Sequence, residues 1–218
     1  MRKKELAAAV VQRLKERYPA SCSLIACKDY ELLFATRLSA QCTDARVNIV
    51  TKELFSRWPS LEALAQADLE ELENVVKPCG LYRVKARDIH QCAQVLLERH
   101  EGKVPDTMEQ LLALPGVGRK TANLILGDLF GKPAVVADTH CIRISGRLGL
   151  TDHADPVKVE MDLKKIIEPA DQNDTCHRFV HFGRDICAAR SPKCNACFMT
   201  DLCPGLSPAK SKKKTAKA

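Results

Sequence analysis

Apolar side chains recur three or four positions apart in segment after segment of this 218-residue chain. YELLFATRLSA, ARVNIVTKELFSRW, LEALAQADLEELENVV, VKARDIHQCAQVLLERH, MEQLLAL and RKTANLILGDLF all carry the pattern. That spacing puts the apolar groups on one face of an α-helix. Pro, Gly and Asp punctuate the segments at WPS, KPCG, EGKVPD, LPGVG and FGKP, and such residues end helices or turn the chain. Short breaks between periodic segments predict a compact all-α fold. DTHCIRISGRLGL and PVKVEMDLKKIIEP extend the helical series. Only AVVA (134–137) has strand character, and it is too short to define one. GKP (131–133) is the expected handover from one helical layer to another. Aromatics make up only 5% of the residues, so the core is aliphatic, as suits helices.

The net charge of +7 says little about nucleic acid, because five of those charges are lysines in the tail SPAKSKKKTAKA (207–218). Such a tail is expected to be disordered, and adds solubility or sequence-independent phosphate attraction. The start, MRKKELAAAVVQRLKERYPA, is read as an amphipathic helix ending before Pro19. Its apolar run is shorter than a secretion signal requires, and no segment is long enough to span a bilayer. The expectation is an intracellular protein, cytoplasmic or nucleoid-associated, with no membrane partner.

Eleven cysteines in a reducing compartment point to metal ligands and buried thiols, not disulfides. Near the C-terminus, CAARSPKCNACFMTDLC places Cys187, Cys194, Cys197 and Cys203 at C-x6-C-x2-C-x5-C spacing. Four cysteines in one short loop suit a tetrathiolate metal site. Zinc usually takes two close pairs. Here only Cys194 and Cys197 form one, which favours an iron–sulfur cluster and leaves zinc as the competitor. Cys22, Cys27, Cys42, Cys79, Cys92, Cys141 and Cys176 are scattered among helical segments and are read as small buried hydrophobes.

TMEQLLALPGVGRKTANLILGDLF holds the densest chemistry. Asp106 or Thr107 caps a short helix that must stop at Pro115, and a second helix starts near Arg119. Gly116 and Gly118 permit positive φ in the turn between them. A nucleotide-binding P-loop needs glycine directly before the lysine and a strand before the loop. Arg119 and a helix stand there instead, which excludes it. The glycine amides and the free N–H groups of the second helix suit a single phosphate of a nucleic-acid backbone. Lys120 lies in the first turn, where the helix dipole disfavours a cation and Arg119 adds like charge. Both effects favour the neutral amine that a lysine nucleophile needs, and a nearby DNA phosphate opposes them. Asp138, after AVVA, is a natural helix N-cap and a carboxylate that could face a cleft.

Together, LLFATRLSAQCTD, GLYRVKA, LPGVGRKTAN, VADTH and the four-cysteine loop resemble the endonuclease III family of DNA-repair glycosylases across residues 33–203. The resemblance implies a two-domain helix-hairpin-helix glycosylase fold with DNA bound across the interdomain cleft. Residues 22–132 would form a six-helix barrel domain with the hairpin at about 106–130. Residues 1–21 and 133–206 would form the domain of a [4Fe-4S] cluster held by the four loop cysteines. The activity implied is removal of oxidised pyrimidines from double-stranded DNA by a monomer, with β-elimination at the abasic site. Lys120 would be the nucleophile and Asp138 would stabilise the cationic sugar or assist proton transfer. Gln41 would fill the gap left by the flipped base and Leu81 would wedge into the stack. Gly116, Val117, Gly118, Arg119, Thr121, Arg190 and Lys193 would meet the backbone. Cys42 stands where the family often has a small residue such as Ala. Thr36 and Arg37 lie in a helix that is usually more apolar, and Arg37 either faces DNA or is exposed. A thymine or uracil mismatch glycosylase on the same scaffold, or a non-catalytic DNA-binding module, are the alternatives.

Overall fold

The structure, a computed structural model, describes residues 2–206; the lysine-rich tail at 207–218 lies outside the described residues. In chain order the helices are α1 (Lys3–Arg17), α2 (Asp29–Leu38), α3 (Asp44–Arg57), α4 (Leu61–Ala65), α5 (Leu69–Val76), α6 (Tyr82–His100), α7 (Met108–Leu112), α8 (Arg119–Asp128), α9 (Thr139–Leu148), α10 (Pro156–Ile166) and α11 (Gln172–Asp185). Among the described residues there is no strand. AVVA is an extended segment whose Ala134, Val135 and Val136 are buried. The Val136 N–H donates to the Cys176 thiol at 3.3 Å instead of to a neighbouring strand.

The chain divides into two compact units, residues 22–132 and residues 1–21 with 133 onward. The first holds α2 to α8, of which α4 and α7 are only five residues each. LEALAQADLEELENVV, one periodic run in sequence, breaks into α4 and α5. Asp68 breaks it by accepting the N–H groups of Glu70 and Glu71 at 2.9 and 3.0 Å, an N-cap that starts a new helix. Thr43, Ser60, Thr107, Asp138 and Asp155 cap α3, α4, α7, α9 and α10 in the same way. The nineteen-residue α6 is the spine of this unit and runs along α4 and α5. Its buried face is Lys85, Ala86, Ile89, Cys92, Ala93 and Leu96, a helical stripe with one cation in it.

In the other unit α1 buries Ala7, Val10, Val11 and Leu14 against α10 and α11. After α11 the chain becomes an irregular loop containing the four clustered cysteines. Little apolar periodicity holds it, so polar bonds do. Arg13 donates to the Phe198 carbonyl at 2.7 Å and to both carboxylate oxygens of Asp201 at 2.5 and 2.6 Å. Arg17 lies 5.0 Å from the Phe198 ring centroid, and Phe198 stacks obliquely on Phe182 at 5.2 Å. The Arg13 guanidinium holds the Asp201 carboxyl down at about 2, from an ordinary 3.8. A depressed carboxylate stabilises the fold above its unfolded value and loses that contribution as pH falls through the folded one. Between pH 4 and 2 an NMR titration of wild type will find Asp201 ionising near 2. In Arg13→Ala it will rise toward the ordinary carboxylate value, held back only by the loop's backbone N–H groups.

Candidate nucleic-acid interface and active site

The hairpin forms as its sequence dictates, with one correction. Thr107 accepts the Gln110 N–H at 3.3 Å to start α7, and the Val117 N–H closes the turn on the Leu114 carbonyl at 3.2 Å. Gly116 has φ +72°, a conformation that glycine adopts without strain. Gly118 does not share it: its φ is −97°, and it serves as N-cap of α8 with no side-chain cap. Uncapped, the start of α8 leaves its first N–H groups to be satisfied by something other than a capping side chain. Gly116, Gly118 and Lys120 are exposed, with Val117, Arg119 and Thr121 partly so. Lys132 closes the base of the hairpin, pairing with the Asp106 carboxylate at 2.6 Å.

A Cβ on Gly116 would come within 2.6 Å of Asp88 Oδ2 and 2.8 Å of Arg37 Nε. The hairpin thus rests on an Arg37–Asp88 pair, 2.6 Å long, whose side chains are only 19% and 16% exposed. Arg37 is therefore neither free nor facing outward. It is a strut between α2 and α6 beneath the turn, and its neighbour Thr36 is buried with its hydroxyl on the Leu32 carbonyl at 2.8 Å.

Gln41 and Leu81 also follow from local backbone. Each is a non-glycine residue in the left-handed region, with φ +56° and +50°, a state that costs energy unless the surroundings impose it. Both side chains are exposed, Leu81 by 56%. A leucine flanking a turn would ordinarily belong to the core, and this one does not. The residue that fixes both segments is Lys85, which sequence reasoning passed over inside GLYRVKA. Its side chain is 0% exposed. Its ammonium donates to the carbonyls of Leu38, Ala40 and Cys79 at 2.9, 2.8 and 2.9 Å. Burial pushes its pKa below the ordinary lysine value. The signal was available: Lys85 lies in register with the buried stripe of α6, a position where a lysine must find acceptors.

In the other unit Asp138 caps α9, accepting the Cys141 N–H at 2.7 Å. The same helix sends two arginines into the cysteine loop, also unforeseen from sequence. Arg143 donates to the Cys187 carbonyl at 3.2 and 3.1 Å. Arg147 donates to the Cys187 sulfur at 3.3 Å and to the Ala188 and Ala189 carbonyls at 2.8 and 3.0 Å. Cys187, Cys194, Cys197 and Cys203 together line one cavity of about 150 Å³. No three His, Cys, Asp or Glu side chains among the described residues are set to hold a single metal ion; the four cysteines share the lining of the hollow with apolar residues. Burial and the other three thiols push the Cys197 pKa up. Arg190 is exposed beside this loop, and Lys193 pairs with Asp185 at 3.8 Å. Of the scattered cysteines, Cys79, Cys92, Cys141 and Cys176 are buried as expected, but Cys22 and Cys42 are half-buried and Cys27 is exposed. Burial pushes Cys92 to about 12 and Cys79 to about 11, the latter also beside Cys42. Thiols so shifted are inert at neutral pH.

These features define an all-α protein of the helix-hairpin-helix class, with an exposed lysine on the hairpin's second helix. The profile described as "HhH-GPD superfamily base excision DNA repair protein" matches residues 34–169. Endonuclease III of Synechocystis is 46% identical, covering 93% of each chain. That of Bacillus subtilis is 42% identical over 88% of this chain and 89% of its own. A structure of a trapped endonuclease III–DNA covalent intermediate superposes with TM-score 0.88 at 41% identity, covering 94% of this chain and 97% of that one. The chain belongs to the endonuclease III family of this superfamily.

The two hairpin glycines should separate cleanly in urea denaturation. Gly116→Ala puts a Cβ into Asp88 in a left-handed backbone and will cost roughly 1–3 kcal/mol. Nothing lies within 4 Å of a Cβ on Gly118. There the entropy gained against the unfolded chain offsets the poorer cap, and Gly118→Ala will change stability by less than about 0.5 kcal/mol.

Proposed function

We propose that this base-excision DNA glycosylase removes oxidised pyrimidines from double-stranded DNA and then cuts the abasic strand by β-elimination. The observation that carries the reading is Lys120, an exposed amine in the first turn of an uncapped helix, directly after the glycine hairpin. Hairpin amides and the α8 N-terminus suit a backbone phosphate, which would hold the strand while the damaged nucleotide leaves the stack. Gln41 and Leu81 would occupy the space it vacates. The Lys120 nitrogen then bonds to C1′ as the bond from C1′ to the base breaks, and the base departs with a proton. Ring opening leaves an imine between Lys120 and the sugar. The imine acidifies the C2′ proton; its removal expels the 3′ phosphate. Asp138 would stabilise positive charge on the sugar or relay a proton. The structural studies of endonuclease III with DNA, one of them a covalent intermediate, support an enzyme of this kind.

The cysteine loop fits a [4Fe-4S] cluster. Its four thiols all line one hollow, together with apolar side chains such as Leu148, Phe182 and Met199. When bound, a cluster supplies four iron–thiolate bonds that cross-link a loop lacking a core of its own. Arg190, exposed on that loop, is available to phosphate. Purified protein should contain iron and acid-labile sulfide in equal amounts; zinc without iron would overturn this.

The test uses oligonucleotides bearing thymine glycol, an abasic site or a G·T mismatch, with borohydride. Thymine glycol and abasic DNA will give a covalent adduct, and Lys120→Gln will give none while still binding abasic DNA. An adduct in Lys120→Gln would remove the lysine from its role. Adducts on the G·T substrate alone would favour mismatch repair. Asp138→Asn keeps the helix cap, since Asn and Asp cap about equally well. It will therefore fold like wild type but react on the order of 10²-fold or more slowly. Equal rates in single-turnover assays would leave Asp138 with its capping role only.

A further inference from the structure

Lys85 does more than stabilise a core. A lysine ammonium has three N–H donors, and here each meets a carbonyl, two at the end of α2 and one at the end of the 3-10 turn Lys77–Cys79. Those three carbonyls belong to the short segments leading into Gln41 and Leu81, two exposed residues with left-handed backbone. The distances of 2.8 and 2.9 Å to Ala40 and Cys79 mean that one cation, anchored on the rigid α6, sets the spacing of both loops. We propose that Lys85 is a positioning residue for strand opening, fixing Gln41 and Leu81 at the separation needed to enter the stack together. The proposal rests on the reading of those two residues as stack-inserting groups. Its chemistry is specific to a charged, three-donor group. An apolar side chain of similar length would fill the space yet leave the three carbonyls, two of them buried, without this donor, so the two loops would relax independently.

The experiment compares two substrates: duplex DNA with thymine glycol, which must be opened, and a single-stranded oligonucleotide with an abasic site, which need not be. The readout is the ratio of their single-turnover rates, which is independent of how much enzyme is folded. Lys85→Met will lower the ratio on the order of 10²-fold, the cost of a misplaced active-site group. It will also abolish the rise in fluorescence of a 2-aminopurine placed opposite the lesion. If Lys85→Met does not fold, Lys85→Gln, with two donors for three carbonyls, carries the same test. Leu81→Ala and Gln41→Ala will lower the ratio on their own, and adding Lys85→Met to Leu81→Ala will lower it little further. An unchanged ratio, or equal loss on both substrates, overturns the positioning role and leaves a structural one. If the Gln41 and Leu81 variants keep the wild-type ratio, the stack-insertion reading falls, and this proposal with it. If they lower it and the Lys85 variants do not, only the proposal falls.

Discussion

A single buried cation organises the unit formed by residues 22–132. Placing an ammonium where no water reaches is costly unless every donor is matched. The fold matches all three of Lys85's donors, and with backbone carbonyls, not a carboxylate. The choice has a geometric consequence. A carboxylate on a flexible side chain could follow the lysine, whereas backbone carbonyls tie the cation to the path of the main chain itself. Two of the acceptors lie at the C-terminal end of α2, where the helix dipole welcomes positive charge. The third closes the 3-10 turn before Leu81. Two chain segments are thereby pinned to α6 at one point.

One turn further along α6, Asp88 repeats the device with the opposite sign. It draws Arg37 inward from α2 and offers its own carboxylate and Cβ as the floor on which Gly116 sits. Residues 85 and 88 are three apart and lie on neighbouring positions of one helix face. The two exposed loops and the glycine hairpin therefore share a common mount. Charge is used in two ways in this unit. Inside, Lys85 is matched by carbonyls and Asp88 pairs with Arg37, and these charges serve geometry. Outside, Lys120 is left exposed at a helix start.

How legible this was follows from the kind of information each element needs. Helices with a continuous apolar stripe were plain, because the period is local. The hairpin was plain because Pro115 and the glycines restrict the backbone within a few residues. α4 and α5 were read as one run because the apolar period continues across residues 66–68; only the Asp68 cap, a competing local bond, divides them. Gly118 was credited with a left-handed conformation that Gly116 alone adopts. Arg37 and Lys85 were opaque for a different reason. Arg37 meets its partner 51 residues away and Lys85 finds two of its three acceptors 47 and 45 residues away, and no short-range pattern encodes a carbonyl acceptor. What the chain did print was a lysine on a buried stripe, and that anomaly was the legible half of the clamp.

The second unit solves the opposite problem. The cysteine loop has few apolar residues to order it, yet its shape does not rest on thiols alone. α1 grips it through Arg13, and α9 grips it through Arg143 and Arg147. Asp138 caps that same α9, three residues before Cys141 and nine before Arg147. A helix is stiff over this length, so the carboxylate at its start and the guanidinium groups along it move as one body. Removing the Asp138 side chain would loosen the first turn of the helix that holds the loop, whereas changing it to Asn would not. The position of Asp138 is thus tied to the cysteine loop by one rigid element, and any group that stiffens the loop also stiffens the seat of Asp138.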